Sequence, residues 1–433
     1  MSQSQKFFLT LLFFLTLYSC STDEKKALQF KEIKSPSKSV SPMIAQWNKL
    51  NSAELNKTVD LFFKNHNTFP LIETDSLYDE YLYITFIYKD TSMNKTIEFD
   101  IFGNYDDRNL GDRKLKRLKN TSLFYRTYYM PNDICFSYRF VVYDTLNNAK
   151  AFHCDPFNDN RNPTGEEKDY SWSVLDLRSK EDSTYIKKYY DVKSKLITFA
   201  FASSILKNTR DITVYLPEGY DKNKPQGYST IYLFDSFIYL NRIEAPNVLD
   251  NMIREKRIEP MIAVFIDNPT KALRDKELPL NFAFKDFVVK ELVPYIRRNW
   301  NVARSPEETL IGGMSYGGLA AGFCAFYHDS IFGNVLSQSG SFWRDTVIEE
   351  PPINWHRSDW LIKQFQTNDK KAIRFYLDWG LQEPIILNSN RKFTRVLDRL
   401  AYSYRFSEFN GWHDWSNSRK SFPVALKYLT EDK

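Results

Sequence analysis

The sequence predicts an α/β domain with a largely parallel sheet, preceded by a smaller antiparallel β-sandwich. Up to about residue 155, short aromatic or β-branched segments are separated by turn residues, which is typical of a sandwich. From about residue 212, β-like segments alternate with helical segments, which indicates a parallel sheet covered by helices. A chain of 433 residues is long enough for both units.

The first 42 residues are predicted to lie outside both units. Lys6 precedes an apolar run over 7–17, too short for the roughly 20 residues that span a bilayer but suited to a secretory signal. Leu17-Tyr18-Ser19-Cys20 resembles a bacterial lipobox, whose cysteine is lipidated. We predict a signal peptide over 1–19, a lipidated tether over 20–42 and an exported lipoprotein, periplasmic or on the cell surface, anchored to the membrane through Cys20. The alternatives are a plain signal peptide and an uncleaved anchor.

The antiparallel unit, expected to be an immunoglobulin-like sandwich, is predicted over 43–185. It begins with one helix over 43–64. Cys135 and Cys154 flank a hairpin, and an exported protein can keep disulfides, so the two are candidates to pair. The predicted strands are 81–88, 96–102, 123–130, 135–143 and 150–154.

The α/β domain is predicted over 186–433. Its strands are expected at 212–216, 230–234, 261–266, 333–337, 373–379 and 404–409, with helices near 284–296, 393–400 and 422–429. Another buried strand is expected to end just before residue 315. Cys324 lies in an apolar segment and is expected in the core.

Composition does not indicate a nucleic-acid-binding protein, because 59 basic residues oppose 54 acidic ones and the net charge is only +5, and we expect no nucleic-acid partner. The cysteines lack zinc-site spacing. We therefore expect neither a metal nor a cofactor.

Gly313-x-Ser315-x-Gly317 is the pattern of a nucleophile elbow, the sharp strand-to-helix turn that exposes a reactive serine in α/β-hydrolases. Glycine on both sides avoids a clash inside the tight turn. The apolar residues before it suit a strand, and the small residues after it suit a helix. We predict Ser315 as a nucleophile; the alternative is a glycine-rich connection without catalytic function.

A serine nucleophile needs a base, and in this fold the chain order is serine, then acid, then histidine. Of the five histidines, His413 alone follows the last predicted strand and precedes the last helix. Two others precede Ser315, one ends the elbow helix and one comes before the strand that should carry the acid; these are His66, His153, His328 and His356.

The acid is expected just after the strand at 373–379, where Glu383 lies. Asp378, still on that strand, and Asp414, beside the base, remain alternatives. An oxyanion hole requires two backbone N–H groups. We expect them from Tyr316, directly after the nucleophile, and from the loop after strand 230–234, near Ser236.

These residues resemble the enterochelin (ferric enterobactin) esterases, within the esterase D-like hydrolases, over most of the mature chain. The matching segments include 118–125, Ser137-Tyr138-Arg139-Phe140, 155–158, 214–220, Arg274-x-x-Glu277-Leu278-Pro279, Leu336-Ser337-Gln338-Ser339-Gly340-Ser341-Phe342-Trp343, Gly380-x-x-Glu383-Pro384 and Gly411-x-His413-Asp414. The resemblance implies a serine esterase that opens lactone bonds in a catecholate siderophore and so helps release iron. It also implies that Ser315, His413 and Glu383 are the catalytic residues.

The resemblance implies that Arg274 and Glu277 line or brace the substrate cleft. Catechol rings need aromatic walls and an anionic ferric complex needs cations, for which the candidates are Trp343, Arg344 and Arg242; packing and surface charge are the alternatives. Ser236 and Trp412 stand where the family often has glycine, and we expect Trp412 to narrow the cleft.

Two other functions are consistent with the sequence. One is an exported esterase that removes feruloyl or acetyl groups from polysaccharides. The other is a lipoprotein that binds a ferric siderophore without cleaving it.

Overall fold

The computed structural model describes residues 28–66, 69–90, 95–103, 110, 113–162, 172–178, 185–186, 193–345 and 359–431. The predicted signal peptide and Cys20 lie outside these ranges. Within them, no helix is long and apolar enough to cross a membrane.

The N-terminal unit contains two antiparallel sheets, with strand orders β1–β6–β3–β2 and β4–β7–β8; β5 also pairs with β6, and β9 with β7. The strands are β1 (Ser37–Ser39), β2 (Leu71–Thr74), β3 (Tyr81–Lys89), β4 (Lys95–Ile101), β5 (Lys116–Arg117), β6 (Leu123–Pro131), β7 (Cys135–Asp144), β8 (Ala149–His153) and β9 (Ser173–Asp176). Phe86 of one sheet and Phe99 of the other meet with ring centroids 4.0 Å apart in a shared buried core. We call this unit the sandwich. Its immunoglobulin-like type and its bounds stay predictions.

The first helical region differs from the prediction because it is two helices, α1 (Pro42–Trp47) and α2 (Ser52–Asn65). Asn51 ends the connection with a reciprocal capping box, in which its side chain accepts from Glu54 N–H and Glu54 accepts from Asn51 N–H. This capping box starts a second helix at a point where the spacing of apolar residues alone predicted one continuous helix.

Part of the predicted tether packs against the folded units. Ser37–Ser39 form β1, which pairs with β6. The ring centroids of Phe30 and Phe406 are 5.5 Å apart, and Lys31 N–H donates to the carboxylate of Glu408.

Cys135 and Cys154, the two candidates for a disulfide, do not pair, because both are free cysteines. The antiparallel register of β7 and β8 places Phe140 opposite His153, so the next residue, Cys154, lies near Arg139. Cys135 is four residues farther along β7, which amounts to roughly 13 Å at 3.3 Å per residue.

The second unit is built on an eight-stranded sheet of order β10–β11–β13–β12–β14–β15–β16–β17. β10 and β11 pair antiparallel, as do β11 and β13, and all later pairs are parallel. The strands are β10 (Lys195–Ser203), β11 (Asn208–Leu216), β12 (Thr230–Phe234), β13 (Ile262–Ile266), β14 (Thr309–Met314), β15 (Asn334–Gln338), β16 (Arg374–Gly380) and β17 (Ser403–Phe409). The predicted α/β domain with a largely parallel sheet is confirmed. The edge strand β10, mostly exposed, was not predicted.

Helices cover both faces of this sheet. They are α3 (Ala245–Arg254), α4 (Lys271–Glu277), α5 (Phe282–Asp286), α6 (Val293–Asn299), α7 (Tyr316–Tyr327), α8 (Trp360–Thr367), α9 (Pro384–Arg399) and α10 (Trp415–Thr430). Neighbouring strand residues face opposite cores: Ile311 packs with α7 and α9, whereas Leu310 packs with α3 and α10. Cys324 is buried in the first core, as predicted.

A buried ion pair joins β11 to α4. Arg210 donates to both Glu277 oxygens over 2.9 and 3.0 Å, and Asn208 donates to the same carboxylate over 2.9 Å. The Arg210 side chain is completely buried. Removal of one partner would leave a buried charge without compensation.

Glu277→Ala is expected to lower the free energy of unfolding by about 3–5 kcal/mol, because Arg210 stays buried and loses its carboxylate. Urea denaturation measures this change. Lys271→Ala, which breaks an exposed pair with Asp275, should change stability by less than about 1 kcal/mol. Equal losses in the two variants would contradict the prediction.

Candidate active site

Ser315 lies in a nucleophile elbow, as its sequence motif predicts. It stands between β14 and α7 with φ 60° and ψ −118°, a backbone conformation that costs about 1–3 kcal/mol for a residue other than glycine. A Cβ on Gly313 would lie 2.6 Å from the Gly317 backbone. Only glycine therefore fits at this crossing of strand and helix.

Two backbone hydrogen bonds hold the elbow against β15 and the loop after it. Ser315 N–H donates to Gln338 over 2.8 Å, and Ser341 N–H donates to Ser315 C=O over 3.1 Å. The Ser341 hydroxyl is 3.3 Å from the Ser315 hydroxyl. Ser341 was not predicted as a site residue. The available signal was its position in a small-residue segment after a buried strand.

The structure pairs His413 with Glu383. His413 Nδ1 is 2.6 Å from Glu383 Oε2, and both residues are buried. The other carboxylate oxygen accepts from Gly380 N–H over 2.6 Å and from the Ser339 hydroxyl over 2.8 Å. A proton on Nδ1 that is donated to Glu383 leaves Nε2 as the basic nitrogen of the neutral ring.

The two rival carboxylates have other partners. Asp378 is fully buried on β16 and accepts a long hydrogen bond, 3.5 Å, from Gln338 Nε2. Asp414 caps α10 by accepting from Ser416 N–H over 2.8 Å and also accepts from Ser137 N–H of the sandwich. The carboxylate on the histidine is therefore that of Glu383.

The expected oxyanion donors both begin helical turns. Tyr316 is the first residue of α7, and Ser236 follows Asp235, whose φ is 60°. The first N–H groups of a helix have no acceptor within the helix, so both can point at a ligand. Arg274 holds the second loop, since its guanidinium donates to both Asp235 oxygens over 2.5 and 2.8 Å.

The candidate substrate residues separate into half-buried positions, Arg274 and Arg344, and buried ones. Arg274 and Arg344 each place a guanidinium 5.6 Å from the centre of the Tyr316 ring. Trp343 and Arg242 are both largely buried; the Trp343 ring lies 6.5 Å from Tyr316. Contact of these side chains with substrate stays a prediction.

Two of the candidates lie in structural contacts. Arg242 packs over Phe237 and Trp415, at 5.3 and 5.1 Å. Glu277 is held by Arg210, so it braces α4 against β11. Its contact with substrate also stays a prediction.

The other histidines in the described ranges lie elsewhere. His66 ends α2, His153 is 2.7 Å from the Tyr88 hydroxyl, and His328 ends α7 near Lys285. His356 is outside the described residues. Within the described part of the chain, no three His, Cys, Asp or Glu side chains are grouped to hold a metal ion.

The expectation that Trp412 narrows the cleft is wrong. Its side chain is 2 % exposed and belongs to the sandwich core, with its ring 5.0 Å from Phe136. The bulky residue before His413 therefore points away from the reacting atoms.

Residues 203–429 match the model of the family described as "Putative esterase". The chain belongs to this esterase family. The match covers the elbow, the His413–Glu383 pair and the parallel sheet that carries them.

Named relatives support membership of this esterase family. The chain is 27% identical over 215 residues to the iron(III) enterobactin esterase of Escherichia coli O6:H1, covering 49% of this chain and 51% of that protein. It is 41% identical over 171 residues to the iron(III) enterobactin esterase of Dickeya dadantii, covering 36% and 37%. The chain thus spans about half the length of these relatives or less.

Solved structures show that the fold extends beyond the esterase-family match. The enterobactin esterase of Shigella flexneri, crystallised in the presence of enterobactin, superposes with a TM-score of 0.70 at 22% identity. That superposition covers 86% of this chain and 97% of the other. The ferric enterobactin esterase of Salmonella typhimurium gives a TM-score of 0.71 at 20% identity over 86% of this chain and 98% of the other. The two-unit fold is therefore shared.

Burial raises the pKa of Asp378 from 3.8 to about 7. The folded protein thus keeps this proton over roughly pH 4–7 while the unfolded chain releases it, so the group's contribution to stability falls as pH rises. Asp378→Asn removes this dependence. As pH rises from 4 to 7, the variant should gain stability relative to the wild type by at most about 1.4 kcal/mol per pH unit.

Urea denaturation at several pH values measures the difference for Asp378→Asn. The exposed Asp369→Asn is the control and should show no such trend. A difference between Asp378→Asn and the wild type that is constant across pH would contradict the prediction.

Proposed function

We propose that this protein is a serine esterase in which Ser315 is the nucleophile, His413 the general base and Glu383 the orienting acid. The observation that carries the proposal is the 2.6 Å pair between His413 Nδ1 and Glu383 at the same sheet edge as the elbow. Serine, carboxylate and histidine follow β14, β16 and β17, and carboxyl ends of parallel strands are where α/β sheets bind ligands.

The reaction proceeds through an acyl-enzyme. Ser315 Oγ attacks the ester carbonyl while His413 Nε2 takes the hydroxyl proton, and Glu383 stabilises the imidazolium. The tetrahedral intermediate collapses, the ester C–O bond breaks, and His413 returns the proton to the leaving alkoxide. Water then attacks the acyl-serine by the same route, releasing the acid and restoring Ser315.

The oxyanion donors are the N–H groups of Tyr316 and Ser236. Both are fixed before substrate arrives, one by α7 and the other by the Asp235–Arg274 pair. Fixed donors stabilise developing charge without reorganisation.

We propose an anionic aryl ester or lactone as substrate, with ferric catecholate siderophores first. The relatives named iron(III) enterobactin esterase support this class. The guanidinium of Arg344 lies over the ring of Tyr316, the residue after the nucleophile, which supports a negatively charged ligand. Ester cleavage of such a siderophore would help release its iron.

A fluorophosphonate probe is expected to label the wild-type protein at Ser315, with mass spectrometry locating the adduct. Ser315→Ala should abolish labelling, because the nucleophile is missing. Glu383→Gln should slow it by roughly 10²–10⁴, because the amide no longer stabilises the imidazolium.

The matched control is Asp378→Asn, a neutralised carboxylate in the same region, which should label within about tenfold of the wild-type rate. Substrate class is decided by incubation with ferric enterobactin and, separately, feruloylated oligosaccharide. Linear products from the siderophore are expected. Cleavage of the oligosaccharide alone would overturn the proposed substrate class. A folded protein that is not labelled would overturn the proposed esterase activity.

We also propose that Cys20 is lipidated and anchors the exported protein to a membrane, in the periplasm or on the cell surface, supported by the lipobox-like Leu17-Tyr18-Ser19-Cys20. Bacterial cells grown with radioactive palmitate should give a labelled membrane-bound protein. Cys20→Ser should lose the label and leave the membrane fraction. Label retained by that variant would contradict the proposal.

A further inference from the structure

The segment that carries His413, residues 410–417, lies against the sandwich, and we call it the histidine loop. Cys135 N–H at the start of β7 donates to Asn410 C=O over 3.0 Å. A Cβ on Gly411 would lie 2.5 Å from Cys135 O. The backbones on either side of this boundary therefore touch without intervening side chains.

His413 itself meets the sandwich through its backbone. Gly103, just after β4, has φ +71°, and a Cβ placed on it would overlap the His413 carbonyl well inside van der Waals contact. A methyl group at residue 103 therefore cannot be accommodated unless His413 or the turn at Gly103 moves.

Trp412 anchors the loop in the sandwich core. All other buried members of that core lie between residues 84 and 175. The Trp412 ring meets Phe136 edge to face. A large, fully buried aromatic side chain directly before His413 restricts where the histidine backbone can lie.

Polar contacts fix the end of the loop that starts α10. Asp414 is fully buried and accepts from Ser137 N–H of β7. The Ser416 hydroxyl is 2.9 Å from the Ser137 hydroxyl and donates to Asn162 over 2.8 Å. Arg178 donates to Asn417 over 3.0 Å.

We infer that the sandwich positions His413 for catalysis, with Gly103, Trp412 and Asp414 as positioning residues. The inference rests on the proposed esterase function. A general base must keep hydrogen-bond reach of its proton, and a misplacement of about 1 Å can cost about 10²-fold in rate. A loop that follows an edge strand does not by itself supply that precision, whereas packing into a second core does.

Gly103→Ala tests the inference from a residue that contributes no side chain to the active site. Its matched control is Gly219→Ala: Gly219 has φ +72°, but nothing lies within 4 Å of a Cβ there. Both variants carry the same backbone strain, and only the first pushes on His413. Near-ultraviolet circular dichroism and thermal unfolding establish the folded fraction of each full-length protein.

For p-nitrophenyl acetate hydrolysis, Gly103→Ala should lower kcat at least about tenfold with little change in KM, whereas Gly219→Ala stays within about twofold. Folded Gly103→Ala with wild-type kcat would overturn the inference.

Trp412 variants decide the question if Gly103→Ala does not fold. Trp412→Ala should lower kcat at least about tenfold, and Trp412→Phe should restore most of it. Phe140→Ala empties the same core four residues farther along β7 from Phe136, where the ring contacts Tyr88 and Tyr138. It should lower the unfolding temperature while keeping kcat within about twofold. Equal kcat in Trp412→Ala and Phe140→Ala would overturn the inference.

The labelling experiment separates the two proposals. If the wild type is labelled at Ser315 and the positioning variants react at the wild-type rate, only the inference fails. If the folded wild type is not labelled, the esterase proposal fails first.

Discussion

The hydrogen bond between His413 and Glu383 depends on more of this molecule than any other contact at the site. Its two residues follow adjacent parallel strands, so the register of β16 and β17 determines whether they meet. Glu383 is aimed by Gly380 and Ser339, from the ends of β16 and β15. The histidine side is determined by a loop packed on another unit. This one hydrogen-bonded pair thus depends on the ends of three strands and on the core of the sandwich.

The nucleophile elbow depends on a second constraint, the backbone conformation of Ser315. Ser315 is held in a strained conformation that the chain would not adopt in isolation. The strain persists because Ser315 N–H and C=O are both hydrogen-bonded and because Gly313 and Gly317 let strand and helix cross. The surrounding sheet supplies the free energy that keeps the hydroxyl exposed.

Structural features that depend on a short sequence pattern were predicted correctly, whereas contacts between residues far apart in the chain were not. The elbow motif and the alternating segments correctly predicted β14, α7 and the parallel sheet. Whether Cys135 and Cys154 pair could not be decided from the sequence, because closeness of two cysteines to a hairpin does not specify strand register. Trp412 was expected in the cleft because it directly precedes the candidate base. Its burial in the sandwich core could not be predicted, because its partner Phe136 lies 276 residues earlier in the chain.

The sequence by itself determined the candidate serine, the candidate histidine and the α/β fold, because glycine spacing, chain order and hydrophobic periodicity can be read from the sequence alone. Only the tertiary structure decided which of three carboxylates meets the histidine: hydrogen-bond direction depends on how strand ends are brought together. It also decided that the sandwich packs on the histidine loop. That contact arises from burial of Trp412 and Asp414 between units, which no single segment encodes.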